Sequence, residues 1–368
     1  MAAKPITIVG GGLAGLTLGI GLRRRGVPVT VWEAGHYPRH RVCGEFISGR
    51  GQETLSRLGL RKLFERAGAV NASTAAFFSA TRSAPPRSLP ARAICLSRFT
   101  MDHALAVEFR RLGGELLEDQ RWPAVGVHAS ACPDRLKPEL QPEGVVRASG
   151  RRLQPSENGS PWFGLKAHAH NVPLTADLEM HVSPGGYVGL CRVNGGAVNV
   201  CGLFRRRAGA HNTPQNWPRR DLRGWREWLR GQAGSPLNRR LAAAEFDESS
   251  FCAVAGISLR PQRAAARAEC CVGDAITMIP PVTGNGMSMA FESAGLAVEP
   301  LAAWSGGEIS WTEARQTLAH RCDAAFARRL AWAKWLQRMM LAPSLQNILV
   351  RFIMHNEWFW RSAFERTR

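Results

Sequence analysis

The stretch that decides the fold is Pro5-Ile6-Thr7-Ile8-Val9-Gly10-Gly11-Gly12-Leu13-Ala14-Gly15, near the start of the chain. Its β-branched residues predict a short strand, and the aliphatic and small residues from 13 to 25 predict a helix. Gly10, Gly12 and Gly15 have the G-x-G-x-x-G spacing of the turn between them. In such a turn the first glycine permits a tight bend, the second lets a phosphate approach the backbone, and the third lets helix and strand pack closely. The stretch therefore predicts a binding site for a dinucleotide pyrophosphate.

Residues 27–32 predict a second strand, and this strand ends at Glu33. An acidic residue about 20 positions beyond the glycines is where a dinucleotide site binds a ribose hydroxyl. The start of the helix adds free backbone amides and a partial positive charge for the phosphates. A lone glycine motif is a weak signal, but one set between two strands and followed by the acid is specific. The motif alone does not choose between NAD and FAD.

The composition narrows the function classes. The chain has 368 residues, enough for two or three domains, and 48 Lys and Arg against 29 Asp and Glu give a formal charge of +19. That charge suggests a nucleic-acid partner. The arginines are spread along the chain, however, and the sequence contains no nucleic-acid-binding motif. We therefore expect no nucleic acid as a partner.

The cysteine pattern and the lengths of the apolar runs predict the cellular compartment of the protein. The nine cysteines are scattered without a C-x-x-C pair, which predicts neither a zinc site nor a dithiol motif. Single thiols suit a reducing compartment. The first strand begins almost at the N-terminus, and no apolar run reaches about 18 residues. The sequence therefore predicts a cytoplasmic protein without a signal peptide, a membrane span or a metal site.

A second motif lies far along the chain. The segments Cys271-Val272-Gly273-Asp274-Ala275 and Pro280-Pro281-Val282-Thr283-Gly284-Asn285-Gly286-Met287 resemble the FAD-binding Gly-Asp motif of the para-hydroxybenzoate hydroxylase superfamily. That superfamily includes group A flavin monooxygenases, flavin-dependent halogenases and geranylgeranyl reductases. The resemblance covers residues 1–160 and 250–300 and implies that FAD is the cofactor. It also implies that Asp274 hydrogen-bonds the ribityl chain, with the amides of residues 284–287 at a helix start near the flavin.

Two further segments bear on the cofactor. Leu96-Ser97-Arg98-Phe99-Thr100-Met101-Asp102-His103-Ala104-Leu105 resembles the family's Arg-x-x-x-Asp-x-x-Leu element, which implies that Arg98 contacts the FAD phosphates or ribityl chain. The alternative is a surface arginine before a helix. The chain departs from the monooxygenases at Ala148-Ser149-Gly150, where Ser149 replaces the usual Asp. A second G-x-G-x-x-G is missing, so we expect NAD(P)H to be a transient electron donor without a domain of its own.

Two resemblances favour the geranylgeranyl reductase-like branch. Arg41-Val42-Cys43-Gly44-Glu45 resembles that branch's Arg-Cys-Gly-Glu segment, and Gly186-Tyr187-Val188-Gly189-Leu190 resembles the strand that lines its substrate pocket, although the branch's usual Trp and Phe-Pro are missing here. The branch implies that FAD, reduced by NAD(P)H, reduces a C=C bond of a lipophilic isoprenoid, lipid or polyketide-like molecule. The alternative is an FAD-dependent monooxygenase that hydroxylates or epoxidises a small aromatic or polyketide-like substrate. Either reaction fits bacterial specialised metabolism at the level of the family.

The candidate site residues form three sets. For catalysis, Cys43 is either a proton donor beside the flavin or only a small buried apolar residue. The predicted substrate pocket contains Glu45, His168, Tyr187 and Gly189. His168 and His170 share one face of a strand, but without a third ligand they predict no metal site. The predicted cofactor-binding residues are Gly10, Gly12, Leu13, Ala14, Gly15, Glu33, Ala34, Arg41, Cys43, Gly44, Arg98, Gly273, Asp274, Pro281, Gly284, Asn285, Gly286 and Met287.

The predicted fold is α/β, with a Rossmann-like FAD-binding domain of the para-hydroxybenzoate hydroxylase type, an inserted antiparallel β-sheet substrate domain and C-terminal helices. We expect the FAD-binding domain at residues 1–160 and 250–305, the substrate domain at 161–249, joined by 70–92, and the helical segment at 306–368. The prolines in residues 83–90 predict a loop, and Asn194-Gly195 predicts a hairpin turn between two antiparallel strands.

The C-terminal segment is basic and aromatic. Residues 315–368 carry ten Lys and Arg against three acids. Apolar residues recur there at helical spacing in two sets, which are Trp332, Trp335, Leu336, Met339 and Met340, then Ile348, Phe352 and His355. One interpretation is an amphipathic face that rests on an anionic membrane or covers a lipophilic substrate tunnel. The other is ordinary helix packing against the FAD domain.

Overall fold

The computed structural model describes residues 2–80, 82–123, 142–151, 162–205, 224–258, 260–342 and 356–367. Within these ranges the strands are β1 Ile6–Val9, β2 Val29–Trp32, β3 Phe46–Ile47, β4 Val70–Phe78, β5 Arg87–Cys95, β6 Glu115–Leu117, β7 Val145–Arg147, β8 Trp162–His170, β9 Leu178–Ser183, β10 Gly186–Arg192, β11 Val198–Arg205, β12 Glu245–Ala255 and β13 Cys270–Cys271. The helices are α1 Leu13–Arg23, α2 Arg50–Arg57, α3 Arg61–Arg66, α4 Arg98–Arg111, α5 Trp225–Arg230, α6 Pro236–Arg240, α7 Gly286–Gly306, α8 Trp311–Leu341 and α9 Glu357–Arg366.

The first sheet is parallel and has the strand order β13-β7-β1-β2-β6. Its strands are short aliphatic runs, and Ile6, Ile8 and Val31 are fully buried, as expected for a sheet covered on both faces. Helices α1 and α7 pack against each other beside it, where Gly21 lies against Val298. This sheet brings the ends of β1, β2 and β7 together at one edge, which is where the predicted glycine turn lies.

The second sheet has eight strands in the order β12-β8-β11-β10-β9-β4-β5-β3. Its pairs are antiparallel except for β4 and β9, which run parallel, so the sheet is mixed rather than purely antiparallel as predicted. The parallel pair joins β4 to β9, while β4 and β3 each pair with β5 in the antiparallel direction. The predicted α/β fold with a Rossmann-like domain and a second sheet is confirmed, whereas the domain boundaries stay a prediction.

Two local predictions can be compared with the strands. The loop predicted at residues 83–90 is wrong for its second half, because β5 begins at Arg87 and contains Pro90. The register between β4 and β5 shifts in this region, so Pro90 does not interrupt a regular ladder. The hairpin between β10 and β11 is confirmed, but its positive φ angles lie at Gly195 and Gly196 rather than at Asn194. Asn194 instead accepts a hydrogen bond from the Ser97 amide, 3.0 Å away.

The C-terminal helices close one side of the second sheet. Helix α8 starts with a capping box in which Ser310 and Glu313 exchange hydrogen bonds. Leu336 and Met339 pack on the second sheet with Trp360 of α9, while the rings of Trp332 and Trp335 meet edge to face. The second predicted set, Ile348, Phe352 and His355, lies outside the described residues. In the part of the chain that is described, none of the helices combines the length and the apolar character needed to cross a bilayer.

Candidate active site

A large cavity lies between the two sheets and extends from the end of β1 to the C-terminal helices. Its volume is about 1080 Å³. Clefts for one small ligand range over about 300–1,000 Å³. The cavity is therefore large enough to hold a cofactor and part of a substrate side by side, and its two ends differ in chemistry.

The glycine turn forms the polar end. Gly10 has a φ of 109°, and a Cβ there would lie 2.5 Å from the Ala148 carbonyl oxygen, so only glycine fits. By contrast, the space around a Cβ at Gly12 contains no described atom within 4 Å, and Gly12 lines the cavity. Helix α1 begins directly after Gly12 without a side-chain cap among the described residues, so its first amides face the cavity. This is the open cradle that a phosphate needs.

Glu33 lies beside this turn at the end of β2. One carboxylate oxygen accepts the Gly11 amide at 2.9 Å, the other accepts the Gly35 amide at 3.0 Å, and Arg39 makes an ion pair at 2.5 Å. Glu33 is buried and lines the cavity. The carboxylate is thus fixed with acceptor positions left over for ribose hydroxyls.

Five arginines line the described part of the cavity, namely Arg39, Arg41, Arg98, Arg121 and Arg151. The Nε atoms of Arg39 and Arg41 are buried and have no hydrogen-bond partner among the described residues. Arg41 Nε lies 3.6 Å from an Asp102 carboxylate oxygen, too far for a hydrogen bond, so these donors suit an anionic ligand in the cavity. Arg98 is different, because it makes a bidentate ion pair with Asp102, with both distances 2.8 Å.

Asp274 lines the same cavity, between β13 and α7, and its neighbour Gly273 packs against Ala14 at the start of α1. Burial raises the pKa of its carboxyl, and the charges of Arg151 and Arg98 oppose that rise. The start of α7 also borders the cavity through Gly284, Gly286 and Met287, and no described side chain caps it. A carboxyl group able to hydrogen-bond a polyol, followed by a helix start, suits a ribityl chain and a flavin ring.

These residues fit FAD on the structure's own geometry. The open cradle at Gly12 and the orphaned Arg39 and Arg41 donors suit the pyrophosphate, Glu33 suits a ribose, and Asp274 suits the ribityl chain. When bound, FAD supplies the electron-transfer chemistry, and the protein supplies position and electrostatics.

The predicted cofactor residues are mostly brought together. Fifteen of the predicted positions line the cavity, and the exceptions are Gly15, Gly273 and Asn285. Gly15 packs against the Gly10 carbonyl, as the third glycine of such a turn does. Gly273, from the second motif, packs against Ala14. The Asn285 side-chain amide donates instead to the Thr367 carbonyl at 2.6 Å and ties α7 to the end of α9.

Cys43 lines the cavity and lies next to Arg98. Burial raises the pKa of its thiol, and the Arg98 charge only partly opposes this rise. Cys43 is therefore a neutral thiol at pH 7, which keeps its proton and does not act as a thiolate. Cys191, Cys201 and Cys252 line the cavity as well.

The second sheet presents three rows of side chains to the cavity side, because residues directly opposite on antiparallel strands share a face. The row nearest the 40–45 segment is polar and contains Cys191, Asn199, His168 and Asp247. The next contains Met180, Gly189, Cys201, Lys166 and Cys252. The third is apolar apart from one phenol and contains Val182, Tyr187, Leu203, Gly164 and Val254.

The four predicted substrate-pocket residues separate along these rows. Tyr187 and Gly189 line the cavity. Glu45 and His168 do not, and hydrogen-bond to each other at 2.7 Å beneath the cavity wall. Burial raises the pKa of the Tyr187 phenol well above its usual range, so its hydroxyl is a permanent hydrogen-bond donor.

The far end of the cavity is an apolar chamber, defined here by Phe77, Leu89, Leu178, Met180, Leu203, Val254, Ile257, Met278, Leu336, Met340, Trp360 and Phe364. These residues come from the second sheet, from positions 257 and 278 outside the strands, and from both C-terminal helices. The sequence analysis related only Leu336 and Met340 to a substrate, as part of a face that covers a lipophilic tunnel. The alternation of apolar residues in β9 was a usable signal, whereas the placement of Trp360 depends on the whole fold. We expect this chamber to bind a lipophilic group.

Comparisons with known proteins agree with this geometry. A family model described as an FAD binding domain matches residues 3–131. A menaquinone reductase from Mycolicibacterium smegmatis is 24% identical over 406 aligned positions, covering 97% of this chain and 95% of that protein. Among solved structures, PqsL, a probable FAD-dependent monooxygenase from Pseudomonas aeruginosa, superposes with a TM-score of 0.68 at 18% identity, covering 95% of this chain and all of that chain. The flavin-dependent brominase Bmp2 superposes with a TM-score of 0.63 at 17% identity, covering 100% and 97% of the two chains.

The family match covers the glycine turn, Glu33 and Arg98, and the solved structures share the arrangement of the two sheets. Together with the FAD-compatible cavity, these findings confirm FAD as a cofactor and confirm the predicted fold. The chain is an FAD-dependent oxidoreductase with a fold of the para-hydroxybenzoate hydroxylase type.

Proposed function

We propose that the enzyme uses FAD, reduced by NAD(P)H, to act on a lipophilic small molecule held in the apolar chamber. The observation that carries this proposal is the chamber itself, which joins the FAD end of the same cavity and has Tyr187 as its phenolic donor. The FAD-binding residues would hold the cofactor, and the chamber would exclude water from the reacting group. The menaquinone reductase similarity supports a lipophilic substrate.

For the reaction we favour oxygen insertion, the monooxygenase alternative. PqsL, a probable monooxygenase, and a flavin-dependent brominase are similar to this chain in fold over nearly its whole length, and this similarity supports oxygen-dependent flavin chemistry. In this reaction NAD(P)H supplies two electrons, one atom of O₂ enters the substrate and the other leaves as water. Tyr187 would orient a substrate oxygen by donating its hydroxyl proton in a hydrogen bond.

The second candidate is reduction of a C=C bond, as in the geranylgeranyl reductase-like branch. The curated menaquinone reductase aligns with 97% of the chain and supports it, as does the neutral Cys43 thiol on the cavity wall. Cys43 would then give a proton to the carbon that does not receive the hydride. A Cys43→Ala variant that binds FAD and turns over at the wild-type rate would remove this role.

One experiment separates the two reactions. FAD-loaded protein is incubated in air with NADH or NADPH and menaquinone as the probe, and the products are analysed by mass spectrometry. A gain of one oxygen atom, labelled from ¹⁸O₂, supports the monooxygenase. A gain of two hydrogen atoms that also forms without oxygen, and that remains after any quinol has been reoxidised to the quinone, supports the reductase. Oxidation of NAD(P)H without any change in menaquinone would reject this substrate class for both.

We also propose that the outer face of the C-terminal helices touches an anionic membrane. Trp335 is 42% exposed and Trp358 is 71% exposed, while Leu336 and Met340 of α8 face the chamber. Exposed tryptophans, with Lys334 and Arg338 close to Trp335 in the sequence, suit an anionic lipid surface. Cosedimentation with phosphatidylglycerol vesicles that is equal for wild type and for a Trp335→Glu, Trp358→Glu variant would contradict this contact.

A further inference from the structure

A buried cluster of charged groups lies beneath the segment of residues 40–45. The Lys166 ammonium is 3.5 Å from Glu45 Oε1, His168 Nε2 is 2.7 Å from Glu45 Oε2, and Lys166 Nζ is 3.1 Å from His40 Nδ1. The side chains of Glu45 and Lys166 are both 0% exposed. We name Glu45, Lys166 and His168 the internal ion cluster. None of its three members lines the cavity.

The backbone of Glu45 has a conformation that needs support. Its φ is 58°, in the left-handed region that residues other than glycine rarely adopt. The Leu96 amide donates to the Glu45 carbonyl at 3.1 Å, and the Arg98 amide donates to its carboxylate at 2.9 Å. A strained backbone persists only where its surroundings over-determine it, and such positions concentrate at functional sites.

The neighbouring residues Cys43 and Gly44 form part of the cavity wall and are tied to the second sheet. Asn199 donates to the Cys43 carbonyl at 3.0 Å, and the Cys191 thiol donates to the Gly44 carbonyl at 3.2 Å. Phe46 packs against Gly284 at the start of α7, where the FAD site continues. Residues 43–46 are thus held between the sheet and the cofactor end of the cavity.

Stability alone does not account for the internal ion cluster. Burying charges removes them from water, and apolar side chains of similar volume are often at least as stabilising. The charges do, however, fix geometry, because a carboxylate with donors on both oxygens cannot move without losing several of them. Burial by itself raises the pKa of Glu45, but the His168 hydrogen bond and the Lys166 charge bring it below its usual range, so the carboxylate stays ionised.

We propose that Glu45 is a positioning residue that fixes the Cys43–Gly44 wall of the cavity. Glu45 is itself held by Lys166, His168 and the Arg98 amide, and by fixing the wall it determines where the Cys43 thiol lies beside FAD. It does not contact substrate or cofactor itself. This inference rests on the FAD assignment of the cavity and is independent of whether the enzyme inserts oxygen or reduces a C=C bond.

The test compares Glu45→Gln with Glu292→Gln in the full-length, FAD-loaded protein. Glu292 makes a buried bidentate ion pair with Arg329, between α7 and α8, and neither residue lines the cavity. The control therefore also removes one buried carboxylate charge, but away from residues 40–45. The readouts are the rate at which iodoacetamide alkylates Cys43, measured on its peptide by mass spectrometry, and the visible absorbance of the bound flavin.

We expect Glu45→Gln to raise the Cys43 alkylation rate about tenfold and to shift the flavin absorbance, because the Cys43–Gly44 wall loses its support. A tenfold change in rate corresponds to about 1.4 kcal/mol. Glu292→Gln should leave both at the wild-type value. If Glu45→Gln does not fold, His168→Phe keeps the Lys166–Glu45 ion pair and should raise the alkylation rate about threefold. A folded Glu45→Gln or His168→Phe protein with wild-type alkylation and spectrum would overturn the proposal, as would an equal rise in Glu292→Gln.

Discussion

The two ends of the cavity are built from different kinds of sequence, contiguous segments at the cofactor end and scattered side chains at the apolar end. The cofactor end depends on contiguous segments, above all residues 10–15 and 284–287, in which backbone amides and glycines do most of the binding. The apolar chamber depends on single side chains from β4, β5, β9, β11, β12, α8 and α9. A backbone-based site constrains sequence locally, whereas a side-chain chamber constrains only size and polarity at scattered positions. The two ends should therefore respond differently to substitution.

The largest effect is expected at Gly10, where Ala would break the cofactor end. A Cβ would lie 2.5 Å from the Ala148 carbonyl oxygen at a φ of 109°. Backbone strain and overpacking together should cost about 3 kcal/mol of unfolding free energy. Urea denaturation followed by circular dichroism measures this loss, with Gly26→Ala as control, because Gly26 also has a positive φ but no described atom within 4 Å of a Cβ.

At the same turn, Gly12→Asp should weaken FAD binding without preventing folding. No described atom lies within 4 Å of a Cβ at Gly12, so the fold should tolerate the side chain. A carboxylate there repels the FAD pyrophosphate, and we expect the Kd for FAD to rise about 100-fold, or about 2.8 kcal/mol. Flavin fluorescence titration measures the Kd, and Gly12→Ala controls for size. An unchanged Kd in the Asp variant would place the phosphates elsewhere.

At the chamber end, Met340→Ala should affect substrate without affecting FAD. Met340 is buried and lines the chamber, so truncation should cost about 2 kcal/mol of stability. The FAD Kd should stay within about twofold, a difference below 1 kcal/mol, while the KM for a lipophilic substrate rises. If the FAD Kd moves as much as the KM, the two ends do not act independently.

The smallest effect concerns pH. Burial, together with the Lys166 and His168 charges, lowers the pKa of His40 from 6.5 to about 4. The unfolded chain then binds this proton below pH 6.5 while the folded chain does not until about pH 4, so His40 lowers stability as the pH falls through that window. His40→Gln should reduce the loss of stability between pH 7 and pH 5 in urea denaturation. An equal loss in both proteins would show that His40 is protonated in the fold.

The same contrast explains what the sequence predicted. The strand–turn–helix at residues 6–23 and the place of Glu33 directly after β2 could be predicted from spacing, because local geometry determines them. The loop predicted at residues 83–90 failed in part because tertiary pairing admits Pro90 into β5 at a register shift. Glu45 and His168 were placed in the substrate pocket, since spacing shows that two residues are polar but not that they pair with each other. Lys166 lies among apolar residues of β8, and this position could have predicted a buried charge that needs an acidic partner.

The central claim is that one cavity holds FAD at its polar end and a lipophilic molecule beside it. The most direct measurement is a titration of the FAD-loaded protein with menaquinone, recording the visible absorbance of the flavin in wild type and in Met340→Arg. We predict saturable perturbation of the flavin spectrum in wild type and its loss in Met340→Arg, whose FAD content stays unchanged. A protein that does not retain FAD, or a spectrum that menaquinone leaves unaltered, would contradict the account.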